Sequence, residues 1–375
     1  CSSSLSCESK VMGLSQVSQA GVSVWLDDLS RERMRKGGKA TYLPDLIAQD
    51  SVVGVTTNPA IFSASIAGSD LYKEDIASLY REGRDAEGVI TALTTSDVRA
   101  ACELFMPTFE RTGGVDGRVS IEVDPRLARD TEGTITQARA LWELVGSPNV
   151  LIKVPATLEG LPAITRLIAD GISVNVTIIF SVKRYEAVLE AFLKGLEERA
   201  ANSLPIGGIH SVASFFVSRV DTEIDARLKG AANEGLRGQA ALANARLAYE
   251  HFLKVQSSNR WQSLARSGAS IQRPLWASTG VKDPAYDPTM YVLELVADKT
   301  VNTMPEATLN AVRTSEKFAG DTITGRFDSA RNILEKLADI EISIDEVAAK
   351  LEGEGIEKFI KPWLDLIRVV EAAKA

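Results

Sequence analysis

Histidine is nearly missing from this chain: only His210 and His251 occur in 375 residues. A mechanism built on imidazole-ligated metal is therefore poorly supplied, and no metal is expected. The three cysteines, Cys1, Cys7 and Cys102, form no spaced pattern. That excludes a disulfide framework or zinc motif and points to a reducing compartment. No apolar run approaches the roughly 20 residues of a membrane-spanning helix, so no membrane partner is expected. Positive charge is also short. Lysine and arginine total 42 against 50 acidic residues, a net charge of −8, which argues against nucleic acid as a partner. Small anionic substrates stay possible, because they need only a local cluster of donors. The glycine-rich G-x-G-x-x-G turn and the G-x-x-x-x-G-K-[ST] loop are both absent, as are internal repeats, linkers and low-complexity tracts.

What is present is ordinary for a globular protein: 45% hydrophobic and 25% charged residues, in a chain long enough to bury a large core. Residues 1–10 are serine-rich and begin at Cys1. Met12 is a candidate start, with residues 1–11 then a processing remnant, an expression scar or the trace of a transit peptide. Residues 1–20 are set apart as an N-terminal extension expected to be poorly ordered, and residues 21–375 as a single domain.

Short apolar runs bounded by glycine, proline or polar residues read as strands at 23–27, 52–58, 118–124, 149–155, 172–180, 209–216 and 274–279, with a shorter eighth at 300–303. Helical spacing fills the gaps. One long helix is expected over 86–111, with Ser96–Asp97 as a candidate interruption. The last helix opens on the capping-box pattern Ser343-x-x-Glu346 and is expected to kink or restart near Pro362. Strands alternating with helices imply a parallel sheet with crossover helices. The count favours a (β/α)8 TIM barrel with extra helices; a doubly wound open sheet is the alternative.

Lys153 stands in the run Val150–Pro155 between two β-branched residues. An ammonium in a strand buried on both faces must find a partner or lose its proton. A lysine pushed toward the neutral amine suits Schiff-base chemistry; a lysine whose head snorkels to water is the common alternative. Strand alternation weighs between them. Ser120 and Glu122 share a face, as do Leu151 and Lys153, and as do Ser173, Asn175 and Thr177, while Val174, Val176 and Ile178 take the other. One face of each strand is thus polar toward its C-terminal end, where barrel active sites are built. Asp27, Asn58, Glu122, Lys153, Asn175, Thr177 and Ser214 supply one amine, two carboxyls, two amides and two hydroxyls. Schiff-base catalysis needs an amine and proton-shuttling carboxyls, and the amides and hydroxyls suit a polyol. The competing interpretation is a structural Lys–Glu ion pair within a polar network. Arg219, Ser278 and Lys282 follow strands six and seven, where phosphate sites form. His210, His251 and Cys102 read as structural.

Several blocks carry a family resemblance. Gly54-Val-Thr-Thr-Asn-Pro-Ala-Ile-Phe62, Val150-Leu-Ile-Lys-Val-Pro-Ala-Thr-Leu-Glu-Gly160, Ser120-Ile-Glu-Val-Asp-Pro-Arg126, Val174-Asn-Val-Thr-Ile-Ile-Phe-Ser181 and Ser214-Phe-Phe-Val-Ser-Arg219 resemble the transaldolases, in that family's order. Trp25-Leu-Asp-Asp-Leu-Ser-Arg31 and Trp276-Ala-Ser-Thr-Gly-Val-Lys282 resemble its longer, actinobacterial-type branch. The resemblance covers about residue 21 to the C-terminus.

It implies a class I, metal- and cofactor-free aldolase-type barrel that moves a dihydroxyacetone unit between sugar phosphates in the non-oxidative pentose phosphate pathway. Donors would be fructose 6-phosphate or sedoheptulose 7-phosphate; acceptors would be erythrose 4-phosphate or glyceraldehyde 3-phosphate. Carried over by position, Lys153 is the Schiff-base lysine, Glu122 activates water and Asp27 moves protons in C–C cleavage. Asn58, Asn175, Thr177, Ser214 and Phe216 shape the sugar site, and Arg219 and Ser278 hold phosphate. Two positions depart from the family. Gly280 stands where shorter members have an arginine, making Lys282 the substitute ligand, and Phe215 stands where proline is common. An aldolase releasing free dihydroxyacetone and a non-catalytic sugar-phosphate binder are the alternative functions. The expected assembly is a monomer or homodimer. The expected compartment is the cytoplasm, or an organelle stroma if residues 1–11 derive from a transit peptide.

Overall fold

The computed structural model describes residues 12–374. Eight strands close into a barrel in sequence order: β1 Val22–Leu26, β2 Val52–Val55, β3 Arg118–Glu122, β4 Val150–Pro155, β5 Val174–Ile179, β6 Ser211–Phe216, β7 Arg273–Ala277 and β8 Thr300–Met304. Every neighbouring pair is parallel, and β8 closes on β1 with Val22 opposite Thr300 and Leu26 opposite Met304. The architecture is the expected (β/α)8 barrel, and the open sheet is excluded by that closure. Strands buried on both faces explain the nearly unbroken Val/Ile/Leu runs. β4 and β5 are buried at every position.

The lumen below the site is filled. Trp25 is fully buried, and its indole Nε1 donates to Asp116 Oδ1 at 3.3 Å. Gly54 makes room for that ring: a Cβ there would lie 2.6 Å from it. Arg273 also pairs with Asp116, at 3.1 Å, so a polar cluster plugs the N-terminal end of the barrel. His210 sits beside this plug. Burial, with Arg118 and Arg273 nearby, pushes its pKa down to about 3, so a neutral structural histidine is what the fold holds.

Two expectations are corrected. The boundary at residue 20 is too late, because Met12–Gln19 is a helix whose Leu14 and Val17 are fully buried; residues 1–11 lie outside the described residues. Helix Ala86–Arg111 runs unbroken through Ser96–Asp97. There Asp97 is buried, accepting from Tyr72 at 2.7 Å and from Arg31 Nε at 2.8 Å. Its carboxylate is partnered through the side chain, so it does not compete for helical backbone donors. The final helix is continuous over Ile344–Ala372 with Pro362 inside it. It packs on the helix after β2 (Pro59–Ala67), the helix after β6 (Ser218–Arg227) and β5. This helix therefore lies across the C-terminal face of the barrel. No helix among the described residues is long and apolar enough to cross a membrane.

Candidate active site

The register places the central residues side by side. Glu122 is opposite Lys153, and Lys153 is opposite Asn175. Lys153 is 6% exposed, and its Nζ donates to the Thr57 carbonyl at 2.9 Å. It forms an ion pair with neither Glu122 nor Asp27, so the structural Lys–Glu pair is absent. Burial pushes the Lys153 pKa down, and the charges of Glu122 and Asp27 only partly oppose that. Burial pushes both carboxyls up, against the pull of Lys153. Burial thus disfavours the charged form of each of the three groups, and for the lysine that favours the amine a nucleophile needs.

β2 stops at Val55, three residues before its expected end, and Thr56, Thr57 and Asn58 form the turn into helix Pro59–Ala67. Asn58 caps that helix, its Oδ1 accepting from Ile61 N at 2.9 Å, and the residue lines the cavity. Thr56 Oγ1 is 2.7 Å from Asp27 Oδ1 and 2.5 Å from Thr303 Oγ1. Thr57 Oγ1 is 2.8 Å from Glu122 Oε2 and 2.8 Å from the Ser120 carbonyl.

Lys153 lies at the seam of two cavities. On one side are Glu122, Thr177 and Ile178, with Ile356 and Phe359 from the final helix. The free volume there is about 20 Å³, the scale of one water site. On the other side a cavity of about 230 Å³ is lined by Asp27, Asn58, Ser214, Phe216, Arg219, Ser278 and Lys282. Phe359 borders both, its ring 5.7 Å from Lys153 Nζ. The Thr177 hydroxyl is buried without a partner, and so is Arg219 Nη1. Unsatisfied buried donors beside a cavity are groups a ligand would complete.

Asn175 departs from the expected role. Its amide donates to Ser120 Oγ at 3.0 Å, and its oxygen accepts from Ser214 Oγ at 2.7 Å. It is fully buried and lines neither cavity; it braces β3, β5 and β6 beneath the site. Ile178 breaks the alternation that assigns it to the outer face. Its φ is +56°, at a point where the β5–β6 register slips between Val176 and Ile179. That bulge turns Ile178 into the cavity beside Thr177. A β-branched residue in the left-handed region stores strain of about 1–3 kcal/mol.

The far end of the larger cavity gathers positive charge. Arg219 stands in the first turn of helix Ser218–Arg227, its guanidinium carbon 5.1 Å from the Phe216 ring centroid. Ser278, with φ +55°, shares a 2.7 Å hydroxyl contact with Ser218. Gly280 leaves space: a Cβ there would lie 3.2 Å from Pro305 Cγ and 3.7 Å from Lys282 Nζ. The Lys282 ammonium thus lies beside this glycine, within ordinary contact of where a Cβ would stand. Burial lowers the pKa of both cations, and each lies within reach of the Asp27 charge. Two cations, a serine hydroxyl and a helix N-terminus at one cavity end suit a phosphate. Among the described residues, no group of three or more His, Cys, Asp or Glu is placed to hold a metal ion.

Residues 24–370 match the family described as Transaldolase/Fructose-6-phosphate aldolase. The chain belongs to that family. It is 55% identical over 357 residues to a protein named Transaldolase from Thermobifida fusca, covering 94% of this chain and 96% of the relative. It is 54% identical to Transaldolase 1 of Streptomyces avermitilis, covering 96% and 95%, and 54% identical to the Transaldolase of Mycolicibacterium smegmatis, covering 94% and 95%. These actinobacterial relatives agree with the branch to which the motifs Trp25–Arg31 and Trp276–Lys282 point.

Sequence reasoning missed Phe359, Ile356, Ile178 and the two threonine hydroxyls. The tandem Thr56–Thr57 at a strand-to-helix turn was the available signal. The amphipathic final helix gave none, because its cavity-facing residues are apolar like its packing residues.

Proposed function

We propose that this chain is a transaldolase. It transfers a dihydroxyacetone unit from sedoheptulose 7-phosphate to glyceraldehyde 3-phosphate, giving erythrose 4-phosphate and fructose 6-phosphate, through a Schiff base on Lys153. One observation carries the reading: a buried lysine without an ion-pair partner stands at the seam between a water-sized pocket and a cavity ending in two cations.

The amine attacks the ketone carbon. The hydroxyl of the resulting carbinolamine leaves as water, aided by a carboxyl proton. Asp27, on the side of the larger cavity, takes the proton of the C4 hydroxyl as the C3–C4 bond breaks. The bonding electrons pass into the iminium, giving an enamine on Lys153. Attack of that enamine on the acceptor aldehyde reverses these steps, and Glu122, beside the water-sized pocket, activates the water that frees the product. Asn58, Thr177 and Ser214 contact the polyol chain, Phe216 walls it, and Arg219, Ser278 and Lys282 hold the phosphate. Asn175 fixes Ser214 from below. We assign the protein to the cytoplasm, as a monomer or homodimer working in the non-oxidative pentose phosphate pathway.

Borohydride reduction in the presence of fructose 6-phosphate, followed by peptide mass mapping, tests the reading. A hydride-stable three-carbon adduct on Lys153 is expected. An adduct elsewhere, or none, overturns it. The family description also covers fructose-6-phosphate aldolases. Turnover of fructose 6-phosphate that does not depend on added erythrose 4-phosphate would reassign the main activity to that lyase reaction.

A further inference from the structure

Thr56 and Thr57 are adjacent, and each hydroxyl touches a different carboxyl of the site. Each hydroxyl has one proton to donate, so what lies on its far side decides which charge state of the carboxyl it satisfies. Behind Thr56 lies another hydroxyl, Thr303 Oγ1 at 2.5 Å. Thr303 can donate to Thr56, and Thr56 to Asp27 Oδ1 at 2.7 Å. Run in that direction, the chain ends on a carboxylate. Behind Thr57 lies a fixed acceptor, the Ser120 carbonyl, 2.8 Å from Thr57 Oγ1, with Glu122 Oε2 also at 2.8 Å. The single Thr57 proton can serve both oxygens only as a weaker, three-centre bond. Both contacts are full two-centre bonds only if Glu122 carries a proton and donates it to Thr57, which then donates to Ser120. Ser120 lies just beyond the last paired residues of β2 and β3, Val55 and Val119, where the regular ladder has ended.

We propose that Thr56 and Thr57 are positioning residues that sort the two carboxyls of the site, holding Asp27 as carboxylate and Glu122 as carboxylic acid. The assignment rests on the transaldolase reading for its use. Schiff-base formation needs an acid first: the Glu122 proton passes to the carbinolamine hydroxyl, the C–O bond breaks, water leaves and the C=N bond forms, with Glu122 left as carboxylate. Cleavage then needs a base, and the Asp27 carboxylate takes the C4 hydroxyl proton. Two carboxyls with opposite roles need environments that part them. Burial raises the pKa of both carboxyls and outweighs the opposing pull of Lys153 on each, so what parts them lies in their other neighbours. Asp27 faces Glu122; Asp27 also faces Asp28, Lys282 and Arg219. The last two cations and the Thr303–Thr56 chain favour its charged form. A donor hydroxyl alone would favour a charged Glu122; the Ser120 carbonyl, competing for that proton, reverses the preference.

Infrared titration of the carboxylic-acid stretch reads the charge states without turnover, and difference spectra against Glu122→Gln and Asp27→Asn assign the bands. The expected result at neutral pH is a protonated-carboxyl band that vanishes in Glu122→Gln and persists in Asp27→Asn. Thr57→Val keeps the shape and removes the hydroxyl; its Glu122 midpoint should fall by about one pH unit, while Thr57→Ser keeps the parent midpoint. Thr56→Val should raise the Asp27 midpoint by a similar amount. The proposal is overturned if no neutral-pH band belongs to Glu122, if the band belongs to Asp27, or if Thr57→Val leaves the Glu122 midpoint unchanged or raises it. The borohydride adduct on Lys153 is scored separately. An adduct with wrong midpoints sinks only the sorting; correct midpoints with no adduct sink the enzymatic reading and leave the charge assignment standing.

Discussion

Glu122 and Lys153 are register partners on adjacent strands and yet form no ion pair; the lysine nitrogen is given instead to the main-chain oxygen of Thr57. The fold thus carries a lysine whose charged form is poorly supported. Its folded pKa lies below the ordinary 10.5. Between those two values the unfolded chain binds the extra proton, so this group lowers stability there, and the penalty fades as pH rises toward 10.5. Lys153→Met should abolish turnover and raise the neutral-pH Tm by about 2 °C. The gain should shrink at high pH. Calorimetry at neutral and alkaline pH checks this; a lower neutral-pH Tm in the mutant would show that the lysine stabilises the fold.

Lys282 reaches the cation-lined end of the larger cavity beside Gly280. Lys282→Ala should raise KM for sugar phosphates about tenfold with kcat little changed, and should spare reaction with unphosphorylated dihydroxyacetone. Steady-state kinetics with both substrate types separate a phosphate ligand from a lysine that merely packs there. An equal loss on both types argues for packing.

Ser278 combines a strained backbone with a hydroxyl facing the cavity. Ser278→Ala and Ser278→Gly should lose substrate binding equally, because both remove the hydroxyl. They should differ in stability. Glycine accepts φ +55° freely, so the glycine variant should be the more stable by about 1 kcal/mol. Denaturant unfolding of the pair checks the sign; a more stable alanine variant would deny the strain.

Phe359 shields Lys153 from the mouth of the barrel. Phe359→Ala admits water, which restores solvation of the ammonium and exposes an enamine to protonation. The alkaline pH dependence of Schiff-base trapping should move upward. The share of fructose 6-phosphate consumed without acceptor should rise severalfold. Product analysis with and without erythrose 4-phosphate is the test, and an unchanged share would leave enamine protection to other residues.

Much of this was legible because strand alternation is a strong rule. Alternation alone puts Lys153, Glu122 and Thr177 on the lumen side. The rule failed where the backbone departed from a strand. Ile178 turns inward only because the β5–β6 register slips. Thr56 and Thr57 reach two different carboxyls because β2 ends before them. Asn175 has the right parity but lies too deep, bonded to Ser120 and Ser214 rather than facing the cavity. Phe359 and Ile356 come from a helix whose pattern reads as packing, and only its course across the barrel makes them part of the site. Residues 12–19 carry only a few apolar positions after a serine-rich stretch, although Leu14 and Val17 are core.

The helix that carries Phe359 has one more consequence. Ribosomes deliver the chain from its N-terminus, so the eight strands and Lys153 all emerge before the segment that roofs them. A barrel folding during synthesis passes through a stage in which its amine stands open to every cellular aldehyde. Protection of the amine therefore depends on the helix Ile344–Ala372, which follows every strand of the barrel in the chain.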